Sequence, residues 1–222
     1  MPLFDRLREA AAKPWRDYCH HPFVAGLADG SLPEAAFRHY LVQDYLFLIQ
    51  FARAYALAAF KSDTLEDMRA AAATMSALVD TEMRMHVEYC AGWGLDEAAM
   101  AAAPEAMETT AYTRFVLDCG QRGDLLDLLV ALAPCVVGYG EIGARLDADA
   151  ATRREGNPYL PWIEMYAGTE YQEVATAACD QLDRLGGARG GEARFDALAK
   201  TFDQATRLEI GFWEMGWRAG AP

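Results

Sequence analysis

The chain has 222 residues, 53% of them hydrophobic and 24% charged, with a formal net charge of -13 and a pI near 4.7. That balance is globular rather than disordered, and the length suits one large core, so a single domain spanning 1–222 is the default. The acidity argues against nucleic acid, whose phosphates need clustered Lys and Arg, and against an anionic membrane surface.

The longest uncharged apolar stretch, Leu128 to Tyr139, falls short of the roughly 18 residues of a spanning helix. Asp5, Arg6, Arg8 and Glu9 interrupt the N-terminus before a signal-peptide block could form, so a cytoplasmic protein is expected. Five widely spaced cysteines without a Cys-x-x-Cys pair favour reduced thiols over a disulfide framework or a zinc site.

In chain order, every long segment reads at the helical period and none alternates strictly between hairpin turns, so the class is all-α. Leu3 to Cys19 predicts one amphipathic helix, closed by His20, His21 and Pro22. Phe23 to Gly30 predicts a short helix or turn, and Ser31-Leu32-Pro33-Glu34 has capping-box spacing ahead of a long helix to about Lys61. Tyr40, Asp44, Phe47 and Phe51 share one face of that helix, setting an aspartate inside an aromatic stripe. Such a carboxylate is costly to bury unpaired. It is therefore bonded, for instance to an arginine such as Arg53, set at a wet rim, or waiting for a polar ligand.

Leu65 to about Gly92 predicts a further helix, with Met68, Ala72, Met75, Leu78, Met83 and His86 as inward candidates. Within it, Glu82 and His86 stand four apart, readable as metal ligands or as a hydrogen-bonded pair. A short alanine-rich helix, Leu95 to Ala103, precedes a helix over Pro104 to Arg122 that carries Tyr112. Leu125 to Glu141 is the most apolar run, and it places Cys135 and Tyr139 on one face with Leu128 and Leu132. Pro134 inside it predicts a kink near Ala131. After a polar turn at Asn157-Pro158, helices follow from Pro161 to Tyr166 and from a cap-like Thr169 to Leu185. Gly186-Gly187 and Gly190-Gly191 predict a flexible loop. In the last helix, Glu192 to about Arg218, Phe202, Thr206, Glu209 and Trp213 form one stripe, again with a carboxylate among aromatics.

Three helices thus each carry one reactive or ionisable group among apolar neighbours: Asp44, Cys135 and Glu209, with tyrosines at 112, 139 and 166. If they converge, they describe an aromatic-lined pocket holding a thiol nucleophile and two carboxyl groups. A buried cysteine is otherwise simply a small hydrophobe.

The blocks HPFVAGLADGSL (His21 to Leu32), FRHYLVQDYLFL (Phe37 to Leu48), EMRMHVEY (Glu82 to Tyr89), LAPCVVGYGEIG (Leu132 to Gly143), NPYLPWIEMYAGTEYQE (Asn157 to Glu173) and RLEIGFWEM (Arg207 to Met215) resemble the TenA/thiaminase II family in order and over nearly the whole chain. The resemblance implies a haem-oxygenase-like helical bundle without haem, usually a homotetramer. It implies cleavage of thiamin or its aminopyrimidine breakdown products in vitamin salvage, without metal or organic cofactor. It further implies that Asp44 holds the amino edge of the pyrimidine, that Cys135 adds to a ring carbon, and that Glu209 protonates the neighbouring ring nitrogen. Tyr112, Tyr139 and Tyr166 would position thiol and substrate, and Phe47 and Phe212 would pack on the heterocycle. Position 47 is phenylalanine where some members have tyrosine, which removes one hydroxyl contact. Two other readings compete. One is a metal-dependent oxidase on the same fold, thin with four histidines; the other is a non-catalytic pyrimidine-binding regulator.

Overall fold

The computed structural model describes residues 1–220, the side chain of Thr81 excepted. Every regular element among them is helical. The helices are α1 (Leu3–Ala10), α2 (Ala12–Cys19), α3 (Pro22–Asp29), α4 (Glu34–Lys61), α5 (Leu65–Ala77), α6 (Met83–Ala91), α7 (Glu97–Ala101), α8 (Met107–Arg122), α9 (Leu125–Ala148), α10 (Leu160–Ala167), α11 (Thr169–Ala188) and α12 (Phe195–Ala219). A π-helical turn, Leu78–Glu82, joins α5 to α6.

α9 is the axis of the bundle. It packs against α10, α11, α12 and α8, and α4 closes the other side. Asp124 opens it through a full capping box with Asp127, two side chains satisfying two otherwise orphaned N–H groups. The helix continues to Ala148, beyond the apolar run that ends at Glu141, and passes unbroken through Pro134. As a whole it is long and apolar enough to span a bilayer, with a mean hydropathy of 1.8 over its best window, contrary to the expectation from its uncharged run alone. That window is 83% buried inside the protein, which makes α9 the core helix.

The predicted first helix divides at Ala11. Pro14 accounts for the break, because its ring would meet the carbonyl of Ala10 four residues back. At α4 the capping box does not form: Pro33 is the cap, without a side-chain bond, and Ser31 instead donates its N–H to Asp29 at 2.8 Å. Thr169 likewise begins α11 without capping it. On α5 the inward face is Asp67 and Ala71, continued by Leu78 of the π-helical turn, while Met68 points out at 41% exposure. Asp67 is held there by Thr64, Gln181 and Arg184, so a tethered carboxylate occupies a position that apolar periodicity assigns to a neighbour. Gly186 and Gly187, read as loop, lie within α11. A Cβ on Gly186 would come within 2.9 Å of Leu3, so the glycine admits α1.

Candidate active site

Two glycines of α9 set the walls of the site. A Cβ at Gly143 would lie 2.6 Å from the Tyr166 carbonyl carbon, and one at Gly138 would lie 2.3 Å from the Tyr18 ring. Their bare backbones let α10 and α2 approach, which carries Tyr166 into the interior and leaves Cys135 and Tyr139 facing a cavity. That cavity, of about 210 Å³, is lined by Asp44, Leu48 and Phe51 of α4, by Glu82 of the π turn, by Cys135 and Tyr139 of α9, and by Tyr171 of α11 among others. It is smaller than the roughly 300 Å³ at which drug-sized sites begin, so it suits a single flat ring. Asp44, Glu82 and Glu170 line it together with no Lys, Arg or His, a wall that favours a cationic guest.

Asp44, Cys135 and Glu209, far apart in sequence, meet here. Glu209 is buried on α12; its Oε1 accepts from the Tyr112 hydroxyl at 2.8 Å, and Glu209 lies near enough to Cys135 for its charge to raise the thiol. Burial first, then the charge of Asp44, pushes the Glu209 carboxyl up to about 8, against the lowering effect of the Tyr112 and Cys135 bonds. The Cys135 thiol is held well above its ordinary value by burial and by the nearby Glu209, Glu82 and Asp44 carboxylates. Cys135 therefore rests as a thiol.

Asp44 pairs with His86 rather than with an arginine; Arg53 bonds Gln50 instead. His86 Nε2 lies 2.7 Å from Asp44 Oδ2, and Nδ1 lies 2.8 Å from the Glu82 carbonyl oxygen. Both partners are acceptors, so both ring nitrogens donate and the ring is an imidazolium. Burial works to lower its pKa, but the Asp44 bond and charge, with Glu82 behind them, outweigh burial and raise it. The Tyr40 hydroxyl donates to Asp44 Oδ2 at 3.1 Å and stands 3.4 Å from that of Tyr139, and the Trp162 indole N–H donates to Tyr40 at 3.3 Å.

Of the tyrosines singled out from sequence, Tyr139 lines the cavity, Tyr112 holds Glu209, and Tyr166 donates to Glu82 Oε1 at 2.7 Å. Phe47 and Phe212 are buried against each other, ring centroids 5.5 Å apart, with Phe47 also 5.1 Å from Tyr112. They form a layer behind the cavity, and the phenylalanine that lines it is Phe51. Tyr40, Glu82 and His86 complete the site beyond the sequence-derived set. The i, i+4 spacing of Glu82 and His86 was the available signal, and it resolves as a hydrogen-bonded arrangement. Among the described residues, no three of His, Cys, Asp and Glu gather as a metal-binding group.

The TENA/THI-4/PQQC family model matches residues 8–219. An aminopyrimidine aminohydrolase of Halalkalibacterium halodurans is 36% identical over 95% of this chain and 93% of its own. A TenA family transcription regulator from Silicibacter sp. TM1040 superposes with a TM-score of 0.90 at 49% identity, covering 97% of this chain and 96% of its own. For the fold alone, a domain from Shewanella denitrificans with a heme oxygenase-like fold aligns over 97% of this chain and 92% of its own, with a TM-score of 0.72 at 14% identity. From residue 8 to residue 219, then, this chain belongs to the TENA/THI-4/PQQC family and has the haem-oxygenase-like helical fold.

Proposed function

We propose that this chain is an aminopyrimidine aminohydrolase of thiamin salvage that also splits thiamin, working through a covalent adduct on Cys135. The observation that carries the reading is a thiol that lines a small cavity with Asp44 and Glu82, near a buried carboxyl, Glu209, that burial pushes up to about 8. A protonated carboxylic acid can give its proton to a ring nitrogen and take up the thiol proton in turn. The net transfer moves one proton from sulfur to the ring and leaves a thiolate to add to the adjacent carbon. Asp44, fixed by His86 and Tyr40, faces the cavity as an acceptor for an exocyclic amino group. The 4-amino nitrogen then expels ammonia, or the thiazole of thiamin, from the exocyclic methylene. Water adds there and the thiol is released. Both leaving groups depart from cationic substrates, in keeping with the carboxylate-rich wall.

The name of the Halalkalibacterium relative supports this reaction class. We further propose that the 222 residues act as one domain, in the cytoplasm, within a homotetramer. A second reading, a pyrimidine-sensing regulator, is favoured by the description of the Silicibacter relative; the net charge of -13 opposes direct contact with DNA. Incubation with 4-amino-5-aminomethyl-2-methylpyrimidine and, separately, with thiamin distinguishes them. The enzyme releases hydroxymethylpyrimidine and Cys135→Ala loses at least about a thousandfold in rate. Binding without turnover, or full activity in Cys135→Ala, overturns the proposal.

A further inference from the structure

Glu82 is a carboxylate of the cavity wall that the chemistry above leaves idle. The π-helical turn Leu78–Glu82 ends on it, and the extra backbone atom count of such a turn displaces a side chain from ordinary helical register, a device common at functional sites. Tyr166 donates to its Oε1 at 2.7 Å, and His86 binds its carbonyl oxygen at 2.8 Å, so side chain and backbone are both anchored. Among the described residues none hydrogen-bonds its second carboxylate oxygen, and the residue lines the cavity together with Cys135.

We propose that Glu82 is the general base that takes a proton from the water attacking the exocyclic methylene, with Tyr166 as its positioning residue. This rests on the aminohydrolase reading. The step balances without an outside reagent. The water oxygen bonds to the methylene carbon, the electron pair of that double bond returns to the ring, and the water proton goes to Glu82. Ammonia released in the preceding step, or solvent, carries that proton away, giving alcohol and ammonium from aminomethyl substrate and water. Glu82 thereby returns to its carboxylate form for the next turnover.

The environment suits the task. Facing Glu82 are Tyr40, Asp44 and Tyr55 of α4, His86 of α6, Cys135 of α9, Tyr166 of α10 and Tyr171 of α11. Burial, then the Asp44 charge, raises its carboxyl to about 7, while His86 and the Tyr166 bond pull the other way. A base matched to neutral pH is the efficient one.

The test is Glu82→Gln with the aminomethylpyrimidine, followed by intact-protein mass and product analysis. Water turnover falls on the order of a hundredfold or more, the pyrimidine adduct on Cys135 accumulates, and added azide restores turnover as the azidomethyl product, because an anionic nucleophile needs no base. Tyr166→Phe, which keeps the carboxylate, moves the acidic limb of the rate profile to higher pH, since the phenol stabilises the charged form. That second variant reads the same role should Glu82→Gln misfold. An unimpaired Glu82→Gln beside a wild type that works through the adduct overturns this proposal alone. So does a slow variant with neither adduct nor azide rescue. A wild type giving neither product nor adduct overturns the underlying reading and this one with it.

Discussion

Asp44 on the cavity wall and Glu209 buried near Cys135 carry the same functional group in opposite company. Glu209 accepts from the Tyr112 phenol, a neutral donor, and burial favours its protonated form. Asp44 meets His86, whose two nitrogens both face acceptors, and the pair is an ion pair inside the core. One carboxyl is raised toward its protonated form, while the other is paired with a histidine ring whose own pKa is raised. The difference lies in the neighbour each helix face brings.

The sharpest way to break the contrast is to deny Glu209 its proton. Glu209→Gln keeps shape and one hydrogen bond but cannot exchange a proton, and product formation should fall by about 10² to 10⁴. Equilibrium binding of the product pyrimidine, measured calorimetrically, should change far less than the rate.

Beside Asp44, His86→Leu removes the paired imidazole and leaves Asp44 buried without it. Denaturant unfolding should register a loss of about 3–5 kcal/mol. The double variant His86→Leu with Asp44→Asn should recover part of it, because the uncompensated charge is gone; no recovery would mean that packing, not charge, is what His86 supplies.

The two groups respond to pH with the same sign. Glu209 sits near 8 when folded against an ordinary value of 4.5. Between those values the folded state binds more protons than the unfolded one, so this group's contribution to stability is complete below about 4.5 and is lost as pH rises through about 8. Urea midpoints measured from pH 5 to 9 should show that downward slope in wild type and a flatter one in Glu209→Gln. His86 has the same sign, with its raised value: the ion pair stabilises fully below the ordinary histidine value and is lost above the raised one. His86→Leu should remove that share of the slope. Activity should likewise decline above about pH 8, as Glu209 loses its proton.

The mildest change is Tyr112→Phe. The phenol donates to Glu209 and lowers its pKa, so its loss should shift the basic limb of the activity profile upward and cost about 1 kcal/mol in stability.

Much of this arrangement could be read from residue order. Asp44, Cys135 and Glu209 each break an apolar stripe at helical spacing, and a polar group on a buried stripe must be either satisfied or functional. The all-helical class followed from the same periodicity. What escaped was partner choice and local register. Spacing makes His86 a neighbour of Glu82, but only the packing of α6 on α4 brings its other nitrogen to Asp44. Phe47 and Phe51 lie one turn apart on the same stripe, and which of them fronts the cavity depends on the depth at which α4 meets α9 and α12. The break at Ala11 was written in Pro14, whereas Pro134 of the same residue type interrupts nothing, because α9 is held from every side.

The most direct test of the central claim is an infrared titration of the wild type against Glu209→Gln. The account predicts a protonated-carboxyl C=O band at pH 7 that is absent from the variant and disappears with a midpoint near 8. A Glu209 already ionised at pH 7, titrating near its ordinary 4.5, would contradict it.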